Sequence, residues 1–171
     1  MNPPTQLSDI PASIREQIVA AAVDALQLTG VTVVRDRLHP IEQDSLPFIG
    51  IFSKDVTPMG IGSDYRAPLV ERELELHFEC RAKATVVVDG VESEIPVSQA
   101  LDSLLTWVNY GLFHDSRFAG DLPPLGTRLI NDIFEKETSP YSREADKPIG
   151  SVSRILIIKY RTSRLDPTTK G

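Results

Sequence analysis

The chain predicts an α+β domain, a mostly antiparallel β-sheet with two amphipathic helices packed on one face. Three observations lead there. Two segments, 11–28 and 96–113, repeat apolar residues at three- and four-residue spacing, the period of a helix with one buried stripe. A third, 70–84, alternates apolar and polar residues strictly, the period of a strand with one face on a core. The order helix, two strands, long strand, helix, two strands has too few crossovers for a doubly wound parallel sheet.

In the first helix, Ile14, Ile18, Ala21, Ala22, Ala25 and Leu26 form the stripe. Pro11 suits a first turn, where its missing N–H has no partner to lose, and Gly30 suits the stop. The alanines predict close approach to a sheet. The β-branched run 31–38 reads as a strand, a turn with two prolines follows, and Phe48-Ile49-Gly50-Ile51-Phe52 reads as a second strand able to pair with the first. Residues 53–69 carry Pro58, Gly60, Gly62 and Pro68 without a sustained period, which predicts a long contact loop.

The 70–84 strand turns Leu74, Leu76, Phe78, Cys80 and Ala82 one way and Glu73, Glu75, His77, Glu79, Arg81 and Lys83 the other. Asp89-Gly90, between β-prone flanks, predicts a hairpin turn. The second helix stripes Leu101, Leu104, Leu105, Val108 and Leu112, with Trp107 at its edge. Two extended segments, 127–138 and 151–163, then form a long hairpin with a polar tip at 139–149. The chain of 171 residues is long enough for one domain, with a core over about 11–162 and a flexible tail over 163–171.

The formal charge of −6, from 24 acidic and 18 basic side chains, disfavours a nucleic-acid binder, whose affinity comes from neutralising phosphates. With one cysteine, no intrachain disulfide can form, which suits a reducing compartment. The first residues lack a basic segment followed by an apolar one, and no run approaches the roughly 20 apolar residues of a membrane span. A soluble protein made in the cytoplasm is expected.

Chemistry-bearing motifs are sparse. His39, His77 and His114 lack metal-ligand spacing and read as surface or rim residues. Cys80, between Phe78 and Ala82, reads as a small core hydrophobe. Gly60 and Gly62 lack the third glycine of a dinucleotide fingerprint, and neither a phosphate loop nor a nucleophile elbow occurs. Glu71, Glu73, Glu75 and Glu79 share one strand face, where a solvated or subunit-facing charge ladder is the ordinary reading and a structural Mg²⁺ or Ca²⁺ the minority one. No catalytic residue, metal or cofactor is expected. Met59, Ile61, Tyr65 and Arg66, with Tyr141 and Arg143, are the candidate partner-binding residues, and Glu73, Glu75, Glu79 and Arg81 the candidate subunit-interface charges.

The succession Ile14–Ala22 (IREQIVAAA), TGVTVVRDR, LPFIGIF, RELELHFECRAKA, ALDSLLTWV and PIGSVSRILIIKYRT resembles the tail terminator and minor tail proteins of long-tailed bacteriophages. The resemblance spans residues 14–162 and rests on hydrophobic pattern and element order. It implies a virion protein that closes into a ring, usually of six copies, on the head-proximal end of the tail tube. There it would stop tube polymerisation and dock the head-side connector or neck protein, while DNA passes through the lumen without sequence-specific contacts. A neck or tail completion protein is the nearest alternative. A small hydrolase or ligand-binding enzyme using the 53–69 loop is the alternative of another class.

Overall fold

A computed structural model describes residues 11–36, 45–56, 69–88, 91–118, 128–143, 149–163 and 168. Helix α1 runs Ile14–Ala25, shorter than the predicted 11–28. Ser13 sets its start, because its hydroxyl accepts the Glu16 N–H at 3.2 Å and its carbonyl the Gln17 N–H at 2.9 Å. Pro11 therefore lies outside the helix. At the other end Gly30 takes φ +81°, a left-handed conformation that turns the chain sharply into a Leu28–Val31 bridge.

Strands β1 (Thr32–Arg35) and β2 (Phe48–Val56) follow and pair in parallel, with Thr32 beside Phe48 and Arg35 beside Ile51. β1 stops short of the predicted residue 38 at Asp36, whose φ is +44°. β2 continues through Ser53–Val56, residues that the sequence places in the contact loop. They pair with Leu76 to Glu73 of β3 (Leu69–Lys83), and Ser53 and Asp55 bond Arg15 of α1. Polar partners on the helix, rather than apolar alternation, hold that end of the strand.

β3 is the centre of the sheet. It pairs antiparallel with β2 on one side and, along its whole length, with β8 (Ile149–Ser163) on the other, from Leu69 beside Ser163 to Lys83 beside Ile149. The order is β1-β2-β3-β8-β6, where β6 is Asp132–Thr138 and the two-residue β7 (Ser142–Arg143) also pairs with β8. The sheet is thus mostly antiparallel, with one parallel edge. The expected hairpin forms as a separate ribbon of β4 (Thr85–Val88) and β5 (Val91–Glu94), closed opposite Val88 and Val91. The predicted 127–138 segment is a strand only from Asp132, and the closing strand starts at Ile149 rather than 151.

Helix α2 (Val97–His114) matches its expected span within a residue. Its stripe of Leu101, Leu104, Leu105, Val108 and Leu112 joins Ile14, Ile18 and Val19 of α1 over Ile49, Ile51, Leu74, Leu76, Phe78, Cys80, Leu156 and Ile158 in one core. Both helices therefore cover the same sheet face. The Trp107 indole N–H donates to the Leu26 carbonyl at 3.0 Å, and Gly111 sits where a Cβ would lie 2.7 Å from the Ala25 carbonyl oxygen. The alanines of α1 bring it close to α2 at this point. Arg117, just past α2, bonds Asp115 at 2.7 Å and Asp24 at 3.1 Å, which locks the two helix ends together and holds the Asp115 carboxyl below the usual range.

Candidate functional site

Because side chains alternate across a sheet, the face turned from the helices collects the polar half of β3. Glu71, Glu73, Glu75, His77, Glu79 and Arg81 line up there beside Arg161, Lys159, Ile157, Ile155, Ser153 and Ser151 of β8. The expected ladder is internally paired. Glu71 meets Arg161 at 3.0 Å, Glu73 meets Lys159 at 3.7 Å, and Glu79 meets Arg81 at 2.7 Å. Lys159 also lies 5.4 Å from the centre of the Phe134 ring, a cation–π contact that holds its ammonium over the sheet.

Glu75 departs from the solvated reading. It is only 7% exposed, and its two oxygens bond the Lys136 ammonium and, at 3.0 Å, Nε2 of His77. These two bonds hold the carboxyl below its ordinary range. Lys136 reaches it because the β6–β8 register shifts between Glu135 and Glu137, an irregularity that re-aims the side chain. Among the described residues no group of three or more His, Cys, Asp or Glu side chains could hold a metal ion. Each acidic member of the ladder has a cationic partner instead.

Next to this pair the open face dips into a cleft of about 480 Å³ lined by Phe52, His77, Glu79, Ser139, Ser142 and Ser153. Its hydroxyls bond one another. Ser139 Oγ accepts from the Ser153 amide at 2.8 Å and shares a 2.9 Å bond with its hydroxyl, while Ser142 and Ser151 share one of 2.7 Å. His77 bonds Glu75, and among the described residues no serine bonds His77. Cys80 lies on the opposite, helix-covered face, where burial pushes its thiol up to about 12.

Of the predicted partner-binding residues, Tyr141 is half exposed, and Arg143 belongs to β7, its backbone paired with Gly150. Met59, Ile61, Tyr65 and Arg66 lie outside the described residues, as do 144–148 of the expected tip. The rest of that tip is tied to the sheet, since Ser139 N donates to Ser153 O at 2.8 Å. Ser163, expected in the tail, ends β8, and the Thr168 carbonyl accepts from Gln17 at 3.3 Å.

Neither a protein-family model nor a curated protein sequence matches this chain. The site therefore rests on its geometry. No described helix is long and apolar enough to cross a membrane.

Sequence reasoning did not single out Lys136, Lys159 and Arg161, which complete the ladder from other strands. It also missed a stacked row on α2, in which Trp107 and Tyr110 lie 5.7 Å apart and Tyr110 and His114 4.1 Å apart, with Tyr110 54% exposed. Their i, i+3 and i+4 spacing was the available signal.

Proposed function

We propose that the chain is a structural assembly protein of the tail-terminator kind, a non-enzymatic virion component. It would form a homo-oligomeric ring on the head-proximal end of a phage tail tube, end tube polymerisation and present a docking surface to the head-side connector, with DNA passing through. The observation that carries this reading is the one-sided sheet. Two helices cover one face, the other holds an ion-paired array around Glu75, and the outer edges of β1 and β6 have no strand partner among the described residues. An exposed sheet edge can be extended by another chain, and a polar, charge-patterned face selects partners more than it drives their association. The resemblance of residues 14–162 to tail terminators supports this identity for the assembly. A net charge of −6 on each copy opposes closure in free solution. A tube end that binds several copies at once raises their effective concentration and offsets that repulsion.

Size exclusion with light scattering, over a range of concentration and salt, tests the proposal. Monomers should shift towards one closed oligomer as salt rises, with rings bearing a central hole in negative stain and capped tubes when purified tail tubes are added. A twofold dimer under every condition, or a monomer that ignores tube ends, would refute it.

The Glu75–His77 pair beside a serine-lined cleft favours a second reading, a small hydrolase, although its centre is the open sheet face rather than the 53–69 loop. Covalent labelling of a serine by a fluorophosphonate, abolished in His77→Ala, would establish that reading and displace the first.

A further inference from the structure

We propose that the cleft beneath the N-terminus of α1, between Arg72 and Tyr160, binds a small oxyanion, the carboxylate or phosphate group of a compact ligand. The cleft lies on the helix-covered face, away from the open-face site, and the inference stands independently of the assembly reading.

It has a volume of about 180 Å³ and is lined by Ser13, Arg15, Asp55, Arg72, Tyr160 and Thr162. That is room for several waters or for one small anion. Arg72 and Tyr160 stand directly opposite each other on β3 and β8, and Thr162 follows on the same face.

Tyr160 points to a ligand. The residue is 3% exposed and its hydroxyl makes no hydrogen bond among the described residues. Among the described residues no fully sealed side-chain oxygen or nitrogen lacks a partner, so this hydroxyl keeps some open surface, and the residue that carries it lines the cleft, where it can donate. Burial raises its pKa, so at neutral pH it stays protonated and able to donate.

Arg72 points the same way. Its Nε donates to Thr162 Oγ1 at 3.1 Å, but unlike Arg15, Arg35, Arg117 and Arg161 it makes no ion pair among the described residues. Its two terminal amino groups present the planar donor fork that suits a carboxylate or phosphate. Arg15 is already engaged by Asp55 at 2.9 Å, by Ser53 at 2.8 Å and by Glu16, so its charge is taken up within the protein, while Arg72 pairs with no carboxylate among the described residues. At the start of α1, where the helix dipole favours negative charge, Ser13 takes the amides of Glu16 and Gln17 and leaves those of Ile14 and Arg15 without a helical partner. Among the described residues Asp55 is the one carboxylate on the cleft and is paired with Arg15, whereas the Arg72 fork and the Tyr160 hydroxyl supply donors that favour an anion between them.

The test uses the full chain, titrated with sodium phosphate and separately with sodium acetate, each against sodium chloride of equal ionic strength. Saturable heat on mixing and a rise in melting temperature above the chloride control are expected for at least one oxyanion. A preference for phosphate would identify phosphate esters as the ligand source, and a preference for acetate would identify carboxylates. Tyr160→Phe and Arg72→Gln should each weaken binding about tenfold or more, the loss of one hydrogen bond to a charged group. Without ligand, Tyr160→Phe should melt at or above the parent temperature, because it removes an unmet hydroxyl and no contact. Equal responses to all three salts, or variants that bind as the parent does, would overturn the proposal.

Discussion

The sharpest test of the helix packing is a single methyl at Gly111. Alanine is the better helix former by about 1 kcal/mol, so in a free helix the change would stabilise. Here the added Cβ would lie 2.7 Å from the Ala25 carbonyl oxygen and 2.8 Å from Leu26 Cδ2, where real contacts stay beyond 3.0 Å. The Leu26 methyl can rotate only into a sealed core. The carbonyl belongs to the last turn of α1, so relief requires the helices to part by several tenths of an ångström, stretching the 3.0 Å bond from Trp107 to Leu26. Overpacking of this kind costs about 1–3 kcal/mol. Set against the propensity gain, the upper half of that range leaves a net loss of about 1–2 kcal/mol. At roughly 2–4 °C per kcal/mol for a chain of this size, melting should fall by about 2–8 °C.

Urea denaturation is the assay, with Thr106→Ala on the exposed side of α2 as the control. The midpoint should fall for Gly111→Ala with an unchanged slope and hold or rise for the control. Gly111→Ala that matches the control would mean that the helices do not meet at this point.

Three further outcomes follow from the described contacts. In Glu75→Gln the buried carboxylate loses its charge-assisted bonds, so the loss should be about 1.5–3 kcal/mol at neutral pH. Because the folded carboxyl titrates below its ordinary 4.5, that contribution is full above this value and disappears as pH falls through the folded one; parent and variant melts should therefore converge in acid, and a constant gap from pH 3 to 7 would contradict the assignment. Cys80, with its thiol pushed up to about 12, should resist iodoacetamide at neutral pH and react at a rate that follows unfolding as urea is added; rapid labelling of the folded chain would show the site to be open. In Glu73→Lys with Lys159→Glu the pair is exchanged, so stability should return to within about 0.5 kcal/mol of the parent while ring assembly or tube capping stays lost. Full assembly by the exchanged protein would remove this part of the ladder from any interface.

What could be read from the sequence divides by range of interaction. The β3 alternation, the α2 stripe and the β4–β5 pairing are patterns set within a few residues, and each appears where it was expected. The end of β2 escaped because Ser53 and Asp55 answer to Arg15, 38 and 40 residues earlier, rather than to an apolar neighbour. The parallel pairing of β1 and β2 carries no local mark, since β-branched runs read alike in either direction. Glu75 is buried through Lys136, 61 residues away, and the aim of Lys136 depends on a register shift that nothing in residues 132–138 announces. Likewise, Tyr160 reads as one more core residue until β8 sets it opposite Arg72.

The two faces of the sheet do different physical work, and their energies say which is open to function. The helix-covered face buries Phe78, Leu74, Leu76, Ile158 and both helix stripes, at about 1.5–3 kcal/mol for each large apolar side chain, so changes there act first on folding. The ladder pairs Glu71–Arg161 and Glu73–Lys159 are partly solvated, and such pairs contribute about 0–1 kcal/mol each. An array that adds so little to the fold can change sign or position at small cost to stability, yet against a partner the same charges must match or repel. Selection for binding can therefore act on the open face while selection for folding acts on the other. Glu75 is where the two meet: its burial ties the ladder to β6, so a partner that displaced Lys136 would leave the carboxylate with His77 alone and weaken the β6 edge.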